Sequence, residues 1–412
     1  MKRLQVLLSV LVLSSLVFVA CTPKAPAFEC TDAIGCVDIA PGDPIHFAYI
    51  QAVSGPVASL GTTNVNGAQL AIDEKGGQLL GHPIQFDGED SLCSAEGGQA
   101  AGTKVASDPT VIAILGTTCS SEARSAMPLV ADAGMVMMSS SNTNPDLTNP
   151  DHPDHHVGYF RTAHNDLFQG RIAAEYAYNE LGLTKAATVH DGSPYADGLR
   201  KVFESVFAEL GGTITSSEAV NVGDTDFKPV LTTIAAGGAE IIYFPIFEPE
   251  GNSFASQKCE VSGLENTALM GADGLFTSGF AGTAGSCSVG MYLSSPYVAG
   301  DAGANFLASY KAKFGEDPAS GFGPHSYDAM NIFFAAIEKV AVVDEDGTVH
   351  IGRQALRDAI FATKAFSGLT GSLSCDANGD CATGEALAVY QISQAMVDGS
   401  ENLTTSTPIW QP

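Results

Sequence analysis

The chain has 412 residues, with 19 basic against 46 acidic side chains, a formal net charge of −27 and 45% hydrophobic residues. Nothing in so acidic a chain neutralises phosphates, so nucleic acid is excluded as a partner, and the acidity reads as solvation rather than as a statement about a ligand. The length is too great for one ordinary core and suggests two domains.

Lys2 and Arg3 precede an apolar stretch from Leu4 to Val19, which ends at Ala20 and Cys21. Residues 1–20 therefore read as a secretory signal rather than a spanning helix. A small residue followed by cysteine, after Phe18 and Val19, resembles the cleavage box of bacterial lipoproteins. That resemblance implies that Cys21 becomes the lipidated first residue and that the protein is anchored to the cell envelope. The alternative is an ordinary secreted protein with Cys21 in a tail. Residues 21–44 read as a tether, opening with the Pro- and Ala-rich TPKAPAFEC. No later segment approaches the ~20 apolar residues needed to span a bilayer.

Without Cys21, eight cysteines remain: Cys30, Cys36, Cys93, Cys119, Cys259, Cys287, Cys375 and Cys381. An even number in an exported chain argues for disulfides, although eight cysteines allow about 105 pairings. Adjacency suggests 30–36, 93–119, 259–287 and 375–381. No C-x-x-C spacing is present, so no zinc or redox site is expected.

The first α/β unit opens with the strand IHFAYI (45–50), followed by the loop SGPVASLG and a helix over 65–77 that ends at Gly76-Gly77. HPIQFDGED is a second strand, AEGGQAAGTKVASD a helix, VIAILG (111–116) a third strand, SEARSAMPLVADAG a helix and MVMMS a fourth strand. A second unit repeats the alternation: the strand AATVHD (186–191), then an amphipathic helix with Leu199, Val202, Phe203, Val206, Phe207 and Leu210 on one face. The helix DFKPVLTTIAAGGAE, the strand IIYFPIF (241–247) and the strand ALMG follow. Such alternation predicts two doubly wound α/β layers with mostly parallel sheets.

In open α/β sheets ligands bind beyond the carboxyl ends of the strands, where helix N-termini offer free N–H groups and partial positive charge. There the first unit places Ser54 and Gly55, then Thr117 to Ser120, then Ser139 to Thr143. The second places Ser193 and Tyr195, then Phe247 and Glu248, then Asp273. Hydroxyls and helix ends suit a carboxylate, whereas an aromatic ring and an acid suit an ammonium. Any single Ser or Thr here also reads as a helix N-cap; the recurrence after successive strands is what suggests a zwitterion clamp.

The motifs IHFAYIQAVSGPVASLG, AILGTTCSS, MMSSSNTNPDLT, YFRTA, TVHDGSPYADGL, YFPIFEPE, MGADG and PHSYDAM stand in the order seen in leucine/isoleucine/valine-binding proteins of ABC importers. The resemblance implies a type I periplasmic-binding fold, with two doubly wound α/β lobes joined by three crossovers. Lobe one would be 45–163 plus 296–367, lobe two 164–295 plus 368–395, and 396–412 a C-terminal tail. It implies that Ser120 holds a ligand carboxylate, that Ser141 and Thr143 complete the clamp through backbone and hydroxyl, and that Tyr195 contacts the ligand. Phe247 stands where the family has Tyr, and Asp273 where it usually has Glu for the α-ammonium. Leu60 and Thr118 would line the side-chain pocket, with Phe276 nearby, and the disulfide 93–119 would pin the ligand loop.

The function so implied is delivery of a small aliphatic amino acid to a membrane permease, by a monomer without a cofactor or catalysis. Amides, urea or aromatic acids are alternative ligands of the same fold, and sensing for a signalling partner an alternative role. Three further motifs read more blandly: His190-Asp191 with Ser193 as a turn rather than a hydrolase site, CDANGDC (375–381) as a tight turn rather than a calcium loop, and HPDHH (152–156) as a solvent loop rather than a metal site.

Overall fold

The computed structural model describes residues 28–382 and 387–412; the predicted signal segment and Cys21 lie outside the described residues. Within the stretch read as a tether, Cys36–Ile39 (β1) forms a strand and pairs antiparallel with Val349–Gly352 near the other end of the chain. The first α/β unit then runs Ile45–Gln51 (β2), Ala58–Glu74 (α1), Gln78–Leu79 (β3), His82–Asp90 (β4), Ala95–Ala106 (α2), Val111–Gly116 (β5), Ser120–Asp132 (α3), Val136–Ser139 (β6) and Tyr159–Arg161 (β7). Every residue of β5 is buried, as a parallel strand covered on both faces requires.

The second unit runs Asp166–Glu175 (α4), Lys185–His190 (β8), Pro194–Glu209 (α5), Thr213–Ala219 (β9), Lys228–Gly237 (α6), Ile241–Tyr243 (β10), Glu250–Lys258 (α7), Ala268–Gly271 (β11), Phe280–Ala284 (α8) and Tyr292–Pro296 (β12). The chain then adds Gly300–Phe314 (α9), Gly323–Val340 (α10), Val342–Val343 (β13), Val349–Gly352 (β14), Arg353–Phe361 (α11), Phe366–Gly368 (β15), Gly371–Leu373 (β16), Leu387–Gln391 (β17) and Gln394–Val397 (α12).

Two six-stranded sheets result, ordered β3-β4-β2-β5-β6-β7 and β17-β12-β11-β10-β8-β9. Pairing is parallel except at the edges, where β3 meets β4 and β17 meets β12 antiparallel. In each sheet the first main strand lies between the second and third, so the order reverses between β2 and β5 and between β8 and β10. Those reversals open crevices at the carboxyl ends of the strands. The architecture is the type I periplasmic-binding fold that the motifs imply.

Two elements differ from their sequence reading. The helix expected over 65–77 begins at Ala58, because the loop SGPVASLG supplies its first turn and Leu60 is buried there. The strand expected over 241–247 stops at Tyr243, since Pro245 has no N–H for a ladder and Ile246 N–H donates locally to Phe244 O (2.9 Å). Of the six apolar positions expected on one face of α5, Leu199, Phe203 and Phe207 are fully buried.

The disulfides Cys93–Cys119, Cys259–Cys287 and Cys375–Cys381 are formed, the first with its Cα atoms 5.3 Å apart; Cys30 and Cys36 are also disulfide-bonded. Trp410, for which the sequence offers no role, packs against Tyr176 with ring centroids 5.4 Å apart and planes tilted by 57°, and its carbonyl accepts the Val389 N–H (2.9 Å). No helix among the described residues is long and apolar enough to cross a membrane.

Candidate functional site

Ser120 is the first residue of α3, next to Cys119, which the disulfide ties to Cys93 at the end of β4. The Ser120 hydroxyl is buried and accepts the Asn144 N–H at 3.4 Å. Helix α3 carries a capping box: buried Glu122 accepts the Cys119 N–H at 2.7 Å. Burial raises the Glu122 carboxyl to about 7.

The polar run after β6 divides into turn and cradle. Ser139 Oγ accepts the N–H groups of Ser141 (3.1 Å) and Asn142 (2.8 Å) and donates to Thr117 O (2.8 Å), so it builds the turn. Asn144 accepts the Asp146 N–H (2.9 Å) and donates from Nδ2 to Pro194 O (2.6 Å), reaching the start of α5 under the second sheet. The Ser141 hydroxyl donates to Thr118 O (2.9 Å) and accepts from Asn64 Nδ2 (2.8 Å). The Thr118 hydroxyl accepts the Ala52 N–H (2.9 Å) and donates to Gln51 Oε1 (2.6 Å). Both hydroxyls are therefore committed to the wall, and the Ser141 N–H is committed to Ser139 Oγ. Thr143 differs: its hydroxyl is buried without a well-formed hydrogen bond and interacts with the Asp166 carboxyl.

On the opposite side, Asp273 opens a short turn after β11 and is buried. The Tyr195 hydroxyl donates to Asp273 Oδ1 (3.1 Å) and accepts the Gly274 N–H (3.1 Å). The Tyr195 and Phe247 rings pack at 4.8 Å, tilted by 35°. Desolvation by burial raises Asp273 to about 6, partly offset by hydrogen bonds from Gln169 and Tyr195. Leu60 is buried in the first turn of α1. Phe276 packs against Tyr390 at 4.5 Å.

The sequence reading missed Asp166, the first residue of α4. It is fully buried, its N–H donates to Thr143 O (2.9 Å), and neither carboxylate oxygen has a well-formed partner. Desolvation holds its carboxyl well above the usual range, and the negative charge of Asp273 pushes it further, against the lesser effects of Thr143 and Arg161. The signal was available in YFRTAHND: β7 is a strand of the first sheet, and Asp166 stands just beyond its carboxyl end, capped by Asn165. Nearby Arg161 supplies no free charge, because it is paired with Asp380.

Contacts thus run from Ser120 through Asn144 and Thr143 to Asp166, whose carboxyl feels the charge of Asp273, and Asp273 in turn meets Tyr195, which packs on Phe247. One end is hydroxyl-rich at a helix N-terminus, and the other is a pair of buried acids with no ion-pair partner among the described residues.

The family described as periplasmic binding protein matches residues 44–397. The chain belongs to the periplasmic binding protein family. It is 28% identical over 345 residues, 82% of this chain and 87% of the relative, to the leucine-, isoleucine-, valine-, threonine- and alanine-binding protein of Pseudomonas aeruginosa. The leucine-specific-binding protein of Salmonella typhimurium is 26% identical, with 88% and 93% covered. Among solved structures, the branched-chain amino acid transporter substrate-binding protein LivJ of Streptococcus pneumoniae, in complex with isoleucine, superposes with a TM-score of 0.75 at 25% identity, covering 90% of this chain and all of that one.

The remaining motifs are absorbed locally. His190 Nδ1 accepts the Gly192 N–H (3.2 Å), Asp191 accepts the Ser193 N–H (2.9 Å), and Ser193 Oγ caps α5 at Ala196 (3.2 Å). In CDANGDC, Asp376 Oδ1 accepts the N–H groups of Asn378 (2.8 Å) and Asp380 (3.0 Å), which makes the tight turn.

Proposed function

We propose that this periplasmic binding protein is the extracytoplasmic solute-binding component of an ABC importer and that it takes a small aliphatic amino acid, leucine, isoleucine, valine or one of similar size. The observation that carries the reading is the pair of buried acids, Asp273 and Asp166, beside Tyr195 and the buried Thr143 hydroxyl. An α-ammonium there relieves the electrostatic cost of both acids, while the Ser120 end of α3 receives the carboxylate. A bare aromatic acid brings no cation and leaves that cost in place, and urea brings none either. The binding names of the relatives point the same way. The ligand would bridge lobes 45–163 plus 296–367 and 164–295 plus 368–395 and favour their closed arrangement, which a membrane permease then reads. Cys21 would carry the lipid that keeps the protein at the membrane.

A thermal-shift screen of the secreted chain against the common amino acids, amides, urea and aromatic acids tests this. A ligand at a hundred times its Kd stabilises by about 2.7 kcal/mol. A shift with an aliphatic amino acid is expected. A shift confined to amides, urea or aromatic acids overturns the ammonium assignment.

A further inference from the structure

Asn144 bridges the two α/β units without the help of a ligand. It stands beyond β6 of the first sheet, and its Nδ2 donates to the carbonyl of Pro194 (2.6 Å), the first residue of α5 in the second unit. The amide is held on its other sides as well. Its Oδ1 accepts the Asp146 N–H (2.9 Å), its backbone carbonyl accepts Arg161 Nη1 (2.8 Å), and its N–H reaches Ser120 Oγ (3.4 Å). The orientation of the amide is fixed, because Pro194 O can only accept and the Asp146 N–H can only donate. The charged side chains around it pair on their own side of the seam, Arg124 with Asp154 and Lys201 with Asp197.

Gly198, in α5, faces the same amide. Glycine is a poor helix former and alanine the best, so a glycine inside α5 needs a reason other than the helix. The seam supplies one: a Cβ at Gly198 would lie 2.6 Å from Asn144 Nδ2. An amide tied at Oδ1 and along its backbone can retreat from that methyl only by giving up Pro194 O.

We infer that Asn144 and Gly198 form a latch across the cleft, which favours the closed arrangement before a ligand arrives. The inference rests on the two-lobe closure of the proposed function. Opening parts Asn144 from α5 and breaks the bond to Pro194 O, and closing remakes it. Apparent affinity scales with the fraction of the chain already competent to bind. The latch therefore sets the affinity for every ligand alike, and the choice among ligand side chains is made elsewhere in the cleft.

The test measures calorimetric Kd values for leucine, isoleucine, valine and alanine on the parent, Asn144→Ala, Gly198→Ala and the double variant, with melting curves showing that each is folded. Each single variant should raise every Kd by the same factor, about three- to tenfold for one lost hydrogen bond. The double variant should bind no more weakly than Asn144→Ala alone, because the added methyl then meets no amide. Factors that differ among the ligands overturn the latch, as do single effects that multiply in the double variant. Small-angle X-ray scattering of the ligand-free chain examines the same bond without a ligand. Both single variants should have a larger radius of gyration than the parent, and equal radii overturn the latch. A parent that binds none of the four amino acids retires the amino-acid reading instead, and the scattering still decides the latch.

Discussion

Replacing Asp273 by Asn should separate binding from stability, with opposite signs. Burial raises the Asp273 carboxyl from 3.8 to about 6, a shift of ~2 units worth about 3 kcal/mol. Below about pH 4 the group is neutral in folded and unfolded chains and contributes nothing. Between about pH 4 and 6 the unfolded chain ionises while the folded chain resists, so stability falls; above about pH 6 the loss is complete. Asn keeps the size and removes that loss. The ligand-free variant should therefore match the parent at pH 4 and exceed it by up to about 3 kcal/mol at pH 8, read from urea melts. Binding should move the other way. A hydrogen bond to a charged group is worth ~1.5–3 kcal/mol, so calorimetry at pH 8 should show the amino-acid Kd raised about 10- to 150-fold. In the parent, an ammonium that needs the ionised carboxylate should bind about tenfold more weakly for each pH unit below about 6. Equal melts at pH 8, or an unchanged Kd, would refute both the burial cost and the ammonium role.

Ser120→Ala should weaken binding by about tenfold or more through loss of a hydrogen bond to the carboxylate, with little effect on the ligand-free melt. Removing the Cys93–Cys119 bridge by paired Ser substitutions frees a sequence separation of 26 residues. It should cost ~3–4 kcal/mol in the chain-entropy account, visible as a lower urea midpoint. Gly67→Ala should destabilise the first sheet unit, because a Cβ there would lie 2.2 Å from Gly323 O where α1 crosses α10. An unchanged melting temperature would show that the two helices can separate freely.

Much of the fold was legible because its signals are local. VIAILG (111–116) coincides with β5 and HPIQFDGED with β4, since buried parallel strands need unbroken apolar runs and edges need turn residues. The eight candidate ligand residues follow from places beyond strand ends and from the resemblance to the family's motifs, and they stand as a proposal. Three things were decided only in three dimensions. Asp166 joins the candidate site because β7 brings it beside Thr143 and within electrostatic reach of Asp273, more than a hundred positions away in the chain. The Thr118 and Ser141 hydroxyls, equivalent on paper to that of Thr143, are consumed by Gln51 and Asn64, while that of Thr143 is turned to the Asp166 carboxyl without a well-formed hydrogen bond. His152 acquires its two acids through the path of a loop rather than through spacing. Propensity and pattern act over a few residues and so are written along the chain. Hydrogen-bond saturation and burial of charge depend on what the folded chain brings alongside, and they determine which of several similar polar side chains remain free to meet a ligand.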